Sequence, residues 1–302
     1  MRSSRRCPAI TALIIGVLCA ALVPGAALAA AETPLDPALC DPTQAGWTTD
    51  ITNAHFPLLA GAVWVYTGKE RGTSLGLRIS VLGGTETFNF GHGDKVGTLR
   101  VEELEWEDAN ADGMIGDPAD EPLIEISVNY FAQTADGTVC YFGEDVDIYE
   151  DGEVVSHEGA WRADDPGNAP GIFMPATPER GMTYQQEFAP GVAEDQATVT
   201  RTGLSVTAPA GAFTDVVRIA DFNPLDNSRG TKDYAPGVGQ IRDGPFDLIS
   251  STLVGQPADV GRAAGSGQSV VGADRQELGE LVRQDEFVEQ RRGIGPRELT
   301  RR

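Results

Sequence analysis

The feature that most constrains the fold of this chain is a period-2 alternation of apolar and polar residues through its central part. Short segments such as 97–106 and 197–208 are rich in Val, Thr and Leu and alternate with polar side chains, which is the pattern of half-buried β-strands. The dipeptides Asp136-Gly137 and Asp151-Gly152 are strong hairpin signals. Helical periodicity is scarce before residue 255. The pattern predicts an all-β fold with a large curved antiparallel sheet, as a half-barrel or a sandwich.

Two segments depart from this alternation. Residues 162–180 are rich in Pro and Gly and are predicted to form a long loop that covers one face of the sheet. Residues 256–302 are first rich in Gly, Ala and Ser and then highly charged, which predicts a flexible or weakly helical tail. The β domain is therefore expected over residues 54–255, after an N-terminal arm at 30–53.

The first 29 residues have the features of a secretory signal peptide. Arg2, Arg5 and Arg6 precede an apolar run over residues 9–23, and Ala27-Leu28-Ala29 fits the small-residue cleavage rule. A lipid anchor at Cys19 is the alternative, although Leu18 is larger than the residue that lipoprotein cleavage prefers. Since no other stretch reaches about 18 apolar residues, we expect a secreted or periplasmic protein without a transmembrane segment in its mature form.

Two of the four cysteines lie beyond the signal peptide. Cys7 and Cys19 would be removed with it, which leaves Cys40 and Cys140. In an exported protein two remaining cysteines usually pair, so we predict a disulfide bond, with two buried free thiols as the alternative. A loop of this length is worth about 4–5 kcal/mol in the chain-entropy description.

The chain is strongly acidic. It has 45 acidic and 23 Lys or Arg residues, for a formal net charge of −22. This charge repels nucleic acid and anionic membrane surfaces, so nucleic acid is not expected as a partner. The acidity also suits cation binding, but a solvated surface tuned for solubility is the simpler interpretation.

The segment 108–115 matches the first half of an EF-hand-type calcium loop. Oxygen-bearing side chains alternate along it, Gly113 allows a sharp turn, and the flanking sequences read as strands. The twelfth position is Ala119 where an EF-hand has a carboxylate, so Asp117 or Asp120 would have to complete the site. The pattern predicts a structural calcium site at a hairpin tip, and the alternative is an acidic turn whose side chains cap their own backbone. The candidate ligands are Asp108, Asn110, Asp112, Asp117, Asp120 and the backbone carbonyl of Met114.

The sequence contains no motif that identifies a reaction. It has no phosphate loop and no dinucleotide fingerprint, and neighbouring acids such as Glu103 and Glu105 carry little information in so acidic a chain. No catalytic residue is predicted. The leading hypothesis is an exported non-enzymatic binding or structural module, stabilised by calcium, that holds an apolar ligand or a protein partner. A secreted hydrolase that uses carboxylates in a cleft is the alternative, and a purely structural envelope protein is a third.

Three phrases carry a resemblance. They begin at Phe56 (FPLLAGAVWVY), Pro209 (PAGAFTDV) and Tyr234 (YAPGVG). In this order they resemble a group of exported bacterial β-rich proteins of unknown function, over about residues 54–250. The group is similar in style to the curved antiparallel sheets of periplasmic lipoprotein carriers, which is an analogy of fold alone. The resemblance implies strand and turn geometry and transfers no functional residue.

Overall fold

A single sheet organises the backbone. In the computed structural model, which describes residues 31–116 and 120–254, sixteen strands join this sheet. The short 3₁₀ turn Pro37–Cys40 is the only helical segment of these residues. The strands are β1 Thr33–Pro34, β2 Val63–Glu70, β3 Thr73–Gly91, β4 Asp94–Glu107, β5 Leu123–Gln133, β6 Val139–Glu150, β7 Glu153–Ser156, β8 Trp161–Arg162, β9 Ala169–Met174, β10 Met182–Gln185, β11 Glu187–Phe188, β12 Gln196–Ala208, β13 Gly211–Phe222, β14 Arg229–Ala235, β15 Gly239–Asp243 and β16 Phe246–Ser251.

The order of the strands confirms the all-β prediction. It runs β1-β10-β12-β13-β14-β15-β16-β2-β3-β4-β5-β6-β9-β11, and β7 and β8 pair with β6 off this path. All of these pairs are antiparallel except β1 with β10. The sheet is not closed into a barrel. Because β16 pairs with β2, the last strands of the described chain lie next to the first long strand.

Local sequence explains the hairpins. Asp151 and Gly152 join β6 to β7 and have φ angles of 51° and 80°, which are the two positive values that a type I′ turn requires. Aspartate tolerates this left-handed conformation better than most residues, and glycine adopts it without steric cost. The predicted Asp-Gly hairpin signal is therefore confirmed at this turn.

The N-terminal arm is fastened to the sheet at several points. Cys40 and Cys140 form a disulfide bond with a Cα–Cα distance of 5.8 Å, as predicted. The side-chain carbonyl of Gln133 accepts hydrogen bonds from the backbone N–H groups of Thr52 and Asn53, both at 2.9 Å. The amide of Asn53 donates to the carbonyls of Gly137 and Pro175. These contacts hold the segment that follows, residues 54–62, against the curved sheet.

The segment 162–180 is not wholly a loop. It contains β9, which pairs with β6 on one side and with β11 on the other. Ile172 and Met174 in β9 are buried. Burial of these apolar side chains and the hydrogen bonds to the neighbouring strands stabilise β9, although the Pro- and Gly-rich composition of the segment predicted a loop.

The main core lies on the inner face of the sheet, and a smaller apolar cluster of Leu104, Trp106, Leu123 and Ile126 is separate from it. Within residues 31–116 and 120–254 no helix is long and apolar enough to cross a membrane. The predicted signal peptide at 1–29 and the predicted tail at 256–302 lie outside the described residues.

Candidate functional site

The inner face of the sheet encloses a partly open cavity of about 150 Å³. Its lining combines apolar and aromatic side chains with four carboxyl groups and one lysine. The lining residues are Phe56, Pro57, Leu58, Trp64, Tyr66, Ile79, Val101, Glu103, Asn129, Tyr141, Glu144, Phe173, Gln186, Glu187, Asp195, Lys232, Gly239 and Gln240.

The register of the strands brings the first wall of this cavity together. Ile79 of β3 lies opposite Glu103 of β4, and Val101 of β4 lies opposite Asn129 of β5. Asn129 in turn lies opposite Glu144 of β6. Since directly opposed residues of antiparallel strands point to the same face, these side chains form two adjacent rows. The apolar members stand on the β2–β4 side and the polar members on the β4–β6 side.

The segment that follows the arm, residues 54–62, and β9 supply an aromatic wall. The ring of Phe56 lies 4.6 Å from that of Phe173 and 5.3 Å from that of Phe131, measured between centroids. Phe131 and Tyr141 stack at 4.9 Å. These distances are those of favourable aromatic pairs. Because the arm is tied down by the disulfide bond and by Gln133, this wall is positioned by contacts far from it in sequence.

The cavity carboxyl groups lack cationic partners. Glu103, Glu144, Glu187 and Asp195 have no Lys, Arg or His nitrogen within 4 Å among the residues that the structure describes. Burial raises the pKa of Glu103 and of Glu144 to about 8 and that of Glu187 to about 7, and it also raises the pKa of Asp195. Charge repulsion within the group adds to this effect. An uncompensated carboxylate in such a place is costly, so at neutral pH Glu103 and Glu144 hold protons.

A short polar network holds Glu144. The hydroxyl of Tyr141 donates to the side-chain carbonyl of Asn129, and the Asn129 amide donates to the hydroxyl of Ser127 at 3.4 Å. Interactions with Ser127 and Tyr141 lower the pKa of Glu144, but burial and the charge of Glu187 outweigh them. The network therefore orients this carboxyl group, and burial keeps it protonated at neutral pH.

Among the described residues, Lys232 is the one lysine or arginine that lines the cavity, and its ammonium group is paired with carboxylates outside the lining. Its ammonium lies 3.7 Å from Asp243 and 3.9 Å from Asp221, and the charge of Asp243 is the main reason that its pKa is raised. Lys232 lowers the pKa of Glu103 only through a longer-range attraction. The carboxyl groups of the cavity thus remain in excess.

One polar atom on the cavity wall is unsatisfied. The buried Oδ1 atom of Asp195 has no hydrogen-bond partner among the described residues. Buried polar groups are nearly always hydrogen-bonded, so this atom calls for a partner from outside the protein. Gln186, which is only 6% exposed, also lines the cavity.

The predicted calcium loop lies away from this cavity, at the turn between β4 and β5. Asp108 is buried and accepts hydrogen bonds from the backbone N–H groups of Asp112 and Gly113, at 3.2 and 2.9 Å. Asn110 accepts from the N–H of Asp112, and Asp112 from that of Met114. Gly113 has a φ of 73°, and an added Cβ would lie 2.3 Å from Ile249. The turn predicted at Gly113 is present.

The loop side chains are therefore used to cap their own backbone, which was the alternative interpretation. Met114 and Asp120 are exposed, and Asp117 lies outside the described residues. Among the described residues no group of three or more acidic, His or Cys side chains is arranged to hold a metal ion. With Asp117 undescribed, calcium binding stays a prediction.

Sequence reasoning did not single out the polar residues of the cavity. The signal for Glu103 was present in the parity of its strand, because Leu99, Val101, Glu103 and Glu105 share one face while Leu104 and Trp106 share the other. A carboxyl group on the same face as Leu99 and Val101 indicates an inward-pointing acid. Gln186, Asp195 and Lys232 had no comparable signal, since strands distant in sequence bring them together.

No known protein family and no curated protein matches this chain. Two solved structures align with it. A candidate lipoprotein of Parabacteroides distasonis is 14% identical, with a TM-score of 0.31, over 66% of this chain and 98% of the other. A candidate exported protein of Bacteroides fragilis with a YmcC-like fold is 15% identical, with a TM-score of 0.24, over 66% and 99%. Neither alignment supports an inference about function.

Proposed function

We propose that this protein is an exported, non-enzymatic binding module that holds a small ligand in the cavity of its curved sheet. The observation that carries the proposal is the cavity lining, in which aromatic and apolar side chains stand beside carboxyl groups that have no cationic partner among the described residues. Pockets for small ligands combine these two kinds of surface, with few polar groups to fix orientation. Export rests on the N-terminal sequence and on the disulfide bond, which suits an oxidising compartment.

The size of the cavity limits the ligand. In another protein an engineered cavity of about 150 Å³ binds benzene, so this cavity suits a group of about one ring. The ligand is therefore small, or it is a side chain of a larger partner that enters the cavity.

Binding of benzyl alcohol, measured by calorimetry, tests the proposal. We expect saturable one-site binding, and we expect Val101→Phe to abolish it, because the added ring enters the cavity that Val101 lines. Leu225→Phe at an exposed position is the matched control and should bind normally. Absence of saturable binding by the folded wild-type protein would contradict the proposal.

A second candidate is the hydrolase, and Glu144 is the observation that favours it. A carboxyl group with a pKa of about 8 is protonated at neutral pH, as a general acid must be. Turnover of 4-nitrophenyl glycosides or esters that disappears in Glu144→Gln would favour this function over simple binding. Turnover that survives this substitution would exclude Glu144 as its acid.

A further inference from the structure

We infer that the ligand of this cavity is a small organic cation, an ammonium group on a compact apolar or aromatic body. This inference rests on the proposed binding function and specifies the chemical class of the ligand. Three features of the cavity point to it: the excess of carboxyl groups, an unsatisfied acceptor atom, and the aromatic side chains that share the lining.

The charge of the lining selects for a cation. Glu103, Glu144, Glu187 and Asp195 line the cavity, and Lys232 is held by Asp221 and Asp243 outside the lining. An ammonium group entering the cavity supplies the counter-charge that the described residues do not. Without a ligand Glu103 and Glu144 are protonated at neutral pH. A nearby ammonium group favours their ionised form, whereas an anion opposes it and a neutral ligand supplies no counter-charge.

The hydrogen-bonding groups select for a donor. The buried Oδ1 atom of Asp195 is an acceptor without a donor among the described residues. An ammonium group has three N–H donors and no acceptor. It can therefore donate to this atom and to a second carboxylate of the lining together, through charge-assisted hydrogen bonds.

The apolar part of the lining accommodates the body of the ligand. It consists of the aromatic side chains of Phe56, Phe173 and Trp64 and, on the sheet beside the carboxyl groups, Ile79 and Val101. Aromatic faces attract organic cations as well as apolar groups. A ligand with one charged end and one apolar end thus matches a lining that combines carboxyl groups with aromatic and apolar side chains.

Calorimetric titration with three probes of the same shape tests the inference. Benzylamine, benzyl alcohol and benzoate carry a cationic, a neutral and an anionic end on the same ring. At pH 7.5 we expect benzylamine to bind roughly tenfold or more tightly than benzyl alcohol, which is what a gained charge-assisted hydrogen bond supplies. We expect no measurable binding of benzoate.

Two variants test whether the preference for benzylamine depends on the carboxyl group of Glu103 in a protein that remains folded. Glu103→Gln should reduce the preference for benzylamine over benzyl alcohol several-fold while it retains benzyl alcohol binding, which also shows that the variant is folded. Glu153→Gln, at an exposed position of β7, is the matched control and should keep the full preference.

The outcomes distinguish this inference from the proposed function. If benzyl alcohol or benzoate binds as tightly as benzylamine, the cationic class is wrong and the binding function stands. If none of the three probes binds to the folded protein, the cationic class of the ligand and the proposed binding function are both wrong. A benzylamine preference that is unchanged in both Glu103→Gln and Glu144→Gln would place the cation outside the cavity and overturn the inference.

Discussion

Glu103 illustrates how position changes the chemistry of a common residue. It stands in a run of glutamates on β4, yet it lies on the inward face beside Val101 and lines a cavity in which no described cation pairs with it. Burial raises its pKa to about 8. Perturbed carboxyl groups of this kind concentrate at functional sites because folding alone does not favour them.

The pKa of Glu103 predicts a pH dependence of stability. A glutamate in the unfolded chain titrates near pH 4.3, so between about pH 4 and pH 8 the folded state binds more protons than the unfolded state. The free energy of unfolding that this residue contributes is complete below pH 4 and is lost as the pH rises through about 8.

Replacing Glu103 with glutamine removes this loss. We expect Glu103→Gln to gain stability relative to wild type as the pH increases, by on the order of 1–3 kcal/mol at pH 8, below the full linkage value because the cavity admits water. Urea unfolding between pH 5 and pH 8 measures the difference, with Glu153→Gln as the control. A difference that is constant with pH would show that the pKa of Glu103 is not raised.

Among the structural elements, the strands were the most predictable. Period-2 alternation and Asp-Gly turns are local signals, and they predict the strands at 97–106 and 197–208 and the turn at Asp151-Gly152, all of which the structure contains. β9 was not found because its neighbours β6 and β11 supply the pairing that its composition does not favour. Strand pairing beyond adjacent hairpins depends on the whole chain, and local patterns do not encode it.

The loop between β4 and β5 carries the prediction about calcium. If Asp117 and the oxygen atoms of Asp108, Asn110 and Asp112 bind calcium, millimolar calcium should raise the midpoint of thermal unfolding by a few degrees. Asp108→Asn should remove that increase, whereas Glu153→Asn should keep it. An unchanged midpoint in wild type at millimolar calcium would leave the loop as a self-capped turn, which is how its described hydrogen bonds are arranged.

The disulfide bond carries a prediction about the arm. Cys40 and Cys140 are separated by 100 residues, so the double variant Cys40→Ser, Cys140→Ser should lose about 4–5 kcal/mol of unfolding free energy by the chain-entropy relation. Denaturant unfolding of the variant and of the oxidised wild type measures the loss. A loss below about 1 kcal/mol would mean that the arm is held by Gln133 and Asn53 without help from the bond.

At the scale of the whole molecule, fold class was accessible from sequence and the site was not. Alternation predicts that a strand has an inner and an outer face, but the cavity exists only where β2–β6, β9, β14 and β15 meet the segment 54–62. Its members extend from Phe56 to Gln240. No local pattern relates residues so far apart, so neither the cavity nor its carboxyl groups could be derived before the register was known.

The most direct measurement of the central claim is a methyl NMR titration of the full protein with benzylamine. Methyl groups of Leu58, Ile79 and Val101 line the cavity, whereas those of Leu104 and Ile126 belong to the separate apolar cluster. We predict saturable shifts of the cavity methyl signals, with one shared dissociation constant, and unchanged signals from Leu104 and Ile126. Absence of any shift, or equal shifts in both sets, would contradict ligand binding in the cavity.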